Sequence, residues 1–311
     1  MKALFTLLVA LLVAMPLLAA QPSSTPPQSL YGVLVMAHGG GPAWNQAVAA
    51  AVEPVRKQYP VEIAFGMADA CSLQEAVGKL EAQGVRKIGV VRLFVSGESF
   101  YPETLKILGL QEGAPVKSAS ACGTGEAEMH HGPGTEMSMA FFRIDSRSAF
   151  AVSRQGLAEA PEMGSILADR AKALSQQPAQ EDVLILAHGP GDDQENEQWL
   201  ANIDRRASEI GKIAPFHRVE VRTLREDWPD KRKAAEQGIR DFVSHAASEG
   251  RKTIVIPFRV EGFGPYKDVL TGLPYVSDGR GLLPHESFTR WIERQAGELR
   301  VEALQASRGK K

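Results

Sequence analysis

Two histidines carry the strongest chemical signal in this chain. His38 lies in the run VLVMAHGGG (33–41) and His188 in VLILAHGPG (183–191), 150 residues later. In each, an aliphatic stretch is followed by Ala-His-Gly-x-Gly and then by a helical pattern. An imidazole held at a strand-to-helix turn can ligate a metal or move a proton near neutral pH. The glycines behind it let the backbone approach closely or take positive φ. Recurrence at equivalent positions favours a functional role over a purely structural one.

The elements that must position these histidines repeat as well. IGVVRLFVSG (88–97) matches IVIPFRVEG (254–262), and VSRQG (152–156) matches VSDGRG (276–281). Pro161 and Pro284 follow the last pair, each before a helical segment. Three matches in one order make the chain an internal duplication. The hydrophobic periods predict strands at 31–37, 61–66 and 87–94 in the first half, with helices over 43–58 and 72–83, a helical turn from Tyr101 and a weak strand near Val116. In the second half they predict strands at 182–187, 216–224 and 252–258, helices over 196–212, 231–248 and 285–303, and a short strand near Tyr275. Strands alternating with long helices imply an α/β fold: two tandem modules, each a parallel sheet with helices on both faces. In such sheets ligands collect outside the carboxyl ends of the strands, where both histidines fall.

The expected organisation is a signal peptide (1–20), a Pro- and Ser-rich linker (21–30), a first module (31–178) and a second module (179–311). Lys2, the apolar run from Ala3 to Leu12 and the small residues Ala19 and Ala20 have the order of a secretory signal. Pro16 and the short apolar run argue against the alternative, an uncleaved anchor. The chain is therefore expected to be exported to the periplasm, with no membrane association after cleavage. An apolar content of 44% with 23% charge describes a soluble globular protein, and a net charge of −2 without a basic stripe excludes nucleic acid as the natural partner. Cys71 and Cys122 could pair in an oxidising compartment, a point that spacing alone leaves open.

The first half is longer between its second and third matches, which locates an insertion within about 108–148. It contains CGTGEAEMHHGPGTEM (122–137), whose Glu126, Glu128, His130, His131 and Glu136 could hold a labile divalent metal on a polar loop. A plain polar loop is the competing reading. His217, His245 and His285 lack a surrounding motif and suit surface or capping roles.

The strand–Ala-His-Gly start and the later strand–Gly turn resemble the sirohydrochlorin cobaltochelatase family, related to the ferrochelatases, as two fused modules. That resemblance implies a tetrapyrrole cleft and insertion of a divalent metal (cobalt, iron or nickel) without ATP. It also implies that His38 and His188 bind the metal or take pyrrole protons. Insertion displaces two protons, so bases are needed beside a weakly held ion; imidazole with a carboxylate suits Co²⁺, Fe²⁺ and Ni²⁺. The family's second histidine lies in the glycine turn, but here the turns read Gly97-Glu98-Ser99-Phe100 and Gly262-Phe263-Gly264-Pro265. Glu98 takes that place in the first half, and Glu261 is the nearest carboxylate in the second. The expected catalytic set is therefore His38, Glu98 and His188, with the first half as the working one and His130 and His131 as further metal ligands. Loss of the second histidine equally suits an exported, non-catalytic tetrapyrrole- or metal-binding protein of the same fold. An esterase is a remote alternative: HGGG (38–41) matches an oxyanion-hole motif, but no Gly-x-Ser-x-Gly elbow occurs. A nucleotide is not expected, since neither Gly-x-Gly-x-x-Gly after the first strand nor Gly-Lys-Ser/Thr is present.

Overall fold

The computed structural model describes residues 30–118, 121–122 and 139–305. The expected signal peptide and linker, and the insertion residues Glu126, Glu128, His130, His131 and Glu136, lie outside the described residues.

The first sheet contains β1 (Leu30–Ala37), β2 (Val61–Phe65), β3 (Val85–Leu93) and β4 (Ala149–Val152), in the order β2-β1-β3-β4. The second contains β5 (Glu181–Ala187), β6 (Arg218–Thr223) and β7 (Lys252–Phe258), in the order β6-β5-β7. Every pairing is parallel. The fold is α/β, with two parallel sheets flanked by helices. The two sheets share one register: Ala37 pairs with Phe65 and Leu93, as Ala187 pairs with Thr223 and Phe258. Val152 lies beside Val90 on β3, and Val276 bridges Ile254 on β7, so the two Val-Ser segments occupy matching edges. The strand expected at Val116 is a single bridge to Arg143.

The helices are α1 (Pro42–Arg56), α2 (Ala70–Ala82), α3 (Tyr101–Ile107), α4 (Pro161–Leu174), α5 (Asp193–Ile213), α6 (Pro229–Ser248), α7 (Tyr266–Val269) and α8 (Glu286–Gln305). Side chains alternate across a strand, and here both faces are apolar because both are covered. Val33, Val35 and Ala37 of β1 and Val183, Ile185 and Ala187 of β5 enter one shared core. Leu34 and Met36 face a second core under α2 and α3, while Leu184 and Leu186 face a third under α6 and α7. The shared core is filled by α1, α4, α5 and α8, so the two sheets are held by four helices lying between them.

Two of those helices are exchanged. α4 follows the first sheet in sequence yet packs on α5 and β7, and α8 follows the second sheet yet packs on α1, β3 and β4. A chain division at 178/179 therefore separates the sheets but not the packing. The Tyr31 hydroxyl donates to the Ala296 carbonyl at 2.7 Å, fixing α8 on β1. Gly89 on β3 is required there, because a Cβ would meet the Tyr31 ring and stand 3.0 Å from Leu299 Cβ. Arg294 of α8 binds Glu162 of α4 through Nε at 2.7 Å and Nη2 at 3.0 Å. Cys71 at the start of α2 is disulfide-bonded to Cys122, which ties the insertion to the first module.

Candidate functional site between the strand ends

Both histidines stand where the sheets end. Buried Ala37 and Ala187 deliver them to the carboxyl edge; His38 is exposed and His188 is partly buried. Each has its Nδ1 2.8 Å from the carbonyl of the following glycine, Gly39 or Gly189. Both glycines have positive φ, at +85° and +78°, which turns that carbonyl back toward the ring. An Nδ1–H donating to a carbonyl leaves Nε2 as the outward nitrogen, available to a metal or a proton.

The corners after β2 and β6 secure these loops. Gly66 N donates to His38 O at 3.0 Å, and Arg225 N donates to His188 O at 2.7 Å. Met67 and Arg225 occupy the same place and both have φ +59°, an unusual value for residues with a Cβ. Arg225 uses its strained position: its guanidinium donates to Pro190 O, to Gly191 O at 2.6 Å and to Asp193 Oδ1 at 2.9 Å, clamping the His188 loop. Trp228 then meets the His188 ring edge-on, with centroids 5.9 Å apart.

One and two residues beyond Arg225 come carboxylates that the sequence motifs do not announce. His188 Nε2 lies 3.0 Å from Asp227 Oδ2 and 3.9 Å from Glu226 Oε2. Glu226 is enclosed and also binds Arg259 Nη1 at 2.5 Å, whereas the Asp227 side chain is 71% exposed. Burial alone would lower the His188 pKa, but the hydrogen bond to Asp227, the Glu226 charge and the Gly189 carbonyl together raise it. Acceptors face both ring nitrogens, Gly189 O at Nδ1 and Asp227 at Nε2. Asp227 is held below the ordinary aspartate value, first by its hydrogen bond to His188 and further by the charges of His188, His38 and Arg232. His38 stands at the equivalent strand end of the other module.

Tyr266, fully buried at the start of α7, lies under the Arg259 guanidinium at 5.8 Å, and burial drives its phenol well above the usual value. It floors the Glu226–Arg259 pair.

Glu98 is exposed in its turn, and its backbone N–H receives support from Ser96 Oγ at 3.1 Å. Among the described residues no hydrogen bond or ion pair joins Glu98 or Glu261 to either histidine. No group of three His, Cys, Asp or Glu donors able to hold a metal ion forms among the described residues. The structure thus brings His188 together with Asp227 and Glu226, sets His38 at the equivalent strand end of the first sheet, and joins Glu98 to neither histidine. The signal that could have found the second corner is Arg-Glu-Asp at 225–227: Asp227 has a counterpart in Asp69 in the first half, each four residues beyond the register position paired with the alanine before the histidine. Of the other histidines, His285 accepts from Ser287 N at 3.1 Å at the start of α8, a capping role, and His217 pairs with buried Asp182 at 2.7 Å at the opposite end of the second sheet.

Residues 32–101 match the CbiX family model. Among solved structures, SirB from Bacillus subtilis with Fe³⁺ matches with a TM-score of 0.56 at 15% identity, covering 86% of this chain and 96% of that one. The sirohydrochlorin chelatase SirB from Bacillus subtilis subspecies spizizenii in complex with cobalt matches with a TM-score of 0.51 at 13% identity, with the same coverages. At these identities the likeness is one of fold. No curated protein matches the sequence.

Proposed function

We propose that this chain inserts a divalent metal ion, with cobalt foremost and iron or nickel as alternatives, into a tetrapyrrole such as sirohydrochlorin. The observation that carries this reading is the His188–Asp227 pair, 3.0 Å long, at the strand end equivalent to the one that bears His38. Insertion brings a cation to the macrocycle and removes two pyrrole protons. Asp227, exposed and held anionic, supplies a negative potential at the mouth. His38 presents Nε2 as ligand or base. His188, once deprotonated, accepts a proton whose charge Asp227 and Glu226 then stabilise. The Arg259 ion pair keeps Glu226 from competing for that proton.

Export to the periplasm is part of the proposal; the apolar N-terminal run and the Cys71–Cys122 disulfide, a bond that persists in oxidising compartments, support it. The test mixes purified protein with sirohydrochlorin and Co²⁺, Fe²⁺ or Ni²⁺ and follows the absorption spectrum. A protein-dependent shift to the metallated spectrum supports insertion. Tight tetrapyrrole binding with no acceleration for any ion favours the second reading, an exported binding protein of the same fold. That reading draws on the turns at 97–100 and 262–265, which contain no histidine.

A further inference from the structure

The first module's rim has a charge problem that the second does not share. Arg92 on β3 is 1% exposed, and its guanidinium donates only to carbonyls: to Gly97 O at 2.9 Å, Ser153 O at 3.2 Å and Ser99 O. Its Nε has no hydrogen-bond partner. Burial pushes its pKa down to about 10, still well above neutrality. Glu98, Glu103 and Glu159 act on it at longer range, but none is within ion-pair distance. Beside it, Arg154 is exposed just past β4, and among the described residues it has no carboxylate partner. Tyr101 is contacted by both cations, with Arg92 4.9 Å and Arg154 4.7 Å from its ring centroid.

The matching rim of the second module is neutralised. In the sequence motif Val-Ser-Arg (152–154) is matched by Val-Ser-Asp (276–278), and the Asp278 carboxylate lies 3.5 Å from Arg170 and 4.0 Å from Arg280. Arg259, the guanidinium over Tyr266, is paired with Glu226. Two cations that have no ion-pair partner among the described residues, one buried and one exposed, flank the same phenol on the carboxyl edge that bears His38. A guanidinium in this setting can donate to a planar anion, and carboxylate fits its fork.

We propose that Arg154, backed by Arg92 and stacked on Tyr101, is a carboxylate-binding subsite. It orients a ligand bearing acidic side arms, while His38 and the His188–Asp227 pair supply the proton and metal chemistry. The inference deepens the tetrapyrrole reading and rests on it, since it names the residues of this chain that would hold the macrocycle's acidic arms.

The test measures binding of uroporphyrin by fluorescence quenching, and of mellitate, a benzene polycarboxylate, by competition and calorimetry. Arg154→Glu is expected to weaken uroporphyrin at least about tenfold, equivalent to 1.4 kcal/mol. Arg154→Lys, which keeps the charge but loses the fork, binds between the wild type and Arg154→Glu, and mellitate displaces uroporphyrin from the wild type but not from Arg154→Glu. Arg154→Gln serves in place of the Glu variant if that one fails to melt cooperatively. Wild-type affinity in the charge-removed variants overturns the subsite. Mellitate binding that depends on Arg154, without any uroporphyrin binding, keeps the subsite and rejects the tetrapyrrole. Binding of neither probe to the wild type rejects the subsite.

Discussion

The corner after β2 and the corner after β6 have the same backbone and opposite uses. Both leave the strand at the register position beside the alanine that precedes the histidine, and both pass through a residue at φ +59°. In the first corner, Asp69 turns inward: it accepts from Ser72 N at 2.8 Å as the cap of α2 and from Ala140 N at 2.9 Å. In the second, Asp227 turns outward to His188, and the preceding residue is Glu226 where the first corner has buried Ala68. The duplication preserved a scaffold, and the chemistry followed from which way one carboxylate faces and whether a cation stands behind its neighbour.

That last condition predicts the largest effect. Ala68 is 2% exposed within an apolar core, and Phe94 occupies the position that corresponds to Arg259. Ala68→Glu would therefore bury a carboxylate without a partner, costing about 3 to 5 kcal/mol. Arg259→Met should cost a similar amount by stranding Glu226, and combining Arg259→Met with Glu226→Ala should recover most of it. Urea unfolding of the three variants checks this; a harmless Ala68→Glu would mean that the corners differ in side chains but not in electrostatic demand.

The next effect is on rate. His188→Ala and Asp227→Asn should each slow metal insertion about a hundredfold, the loss typical of a positioned proton acceptor. His38→Ala should also impair insertion, whereas Glu98→Gln should leave the initial rate close to wild type. A slow Glu98→Gln with a normal Asp227→Asn would return the second acid to the glycine turn and remove the second corner from the mechanism.

Much of the fold is legible in the sequence. The strands announce themselves as runs apolar on both faces, and His38 and His188 are marked by the glycine-rich motif that repeats around them. The second corner is not legible there, because Asp227 meets His188 through the parallel pairing of β5 with β6, 39 positions further along the chain. Motif spacing points instead to the glycine turn after β3, where Glu98 stands exposed. The exchange of α4 and α8 is equally hidden, since an amphipathic helix shows which face is apolar but not which sheet will cover it. Arg225 is a local case: nothing in its neighbours signals a positive φ, which the fold imposes because three loop acceptors reward it.

A smaller effect separates the two aspartates by stability. Asp69→Ala removes a helix cap and a tether to the segment after the insertion, so about 1 to 2 kcal/mol should be lost, with the insertion rate per folded molecule unchanged. Asp227→Ala should do the reverse, leaving thermal unfolding near wild type at neutral pH while the rate falls. Equal stability losses in the two variants would dissolve the distinction between a structural and a chemical corner.

The smallest expected effect is the pH signature of the His188–Asp227 pair. His188 has its pKa raised above the ordinary 6.5, so its contribution to stability is complete below that value and is lost as pH rises through the folded pKa. Asp227 has its pKa lowered below 3.8, so its contribution is present above that value and is lost as pH falls through the folded pKa. The pair therefore stabilises the fold most in the window between about pH 4 and 6.5, bounded by the two unperturbed values. The difference in melting temperature between wild type and Asp227→Asn should peak there and shrink toward pH 8. In a proton–carbon NMR titration, the His188 resonances should move at a higher pH in wild type than in Asp227→Asn, because the variant retains the burial that lowers the pKa and loses the carboxylate that raises it. Coincident titration curves would show that Asp227 does not act on His188 in solution, and the second corner would then be no more chemical than the first.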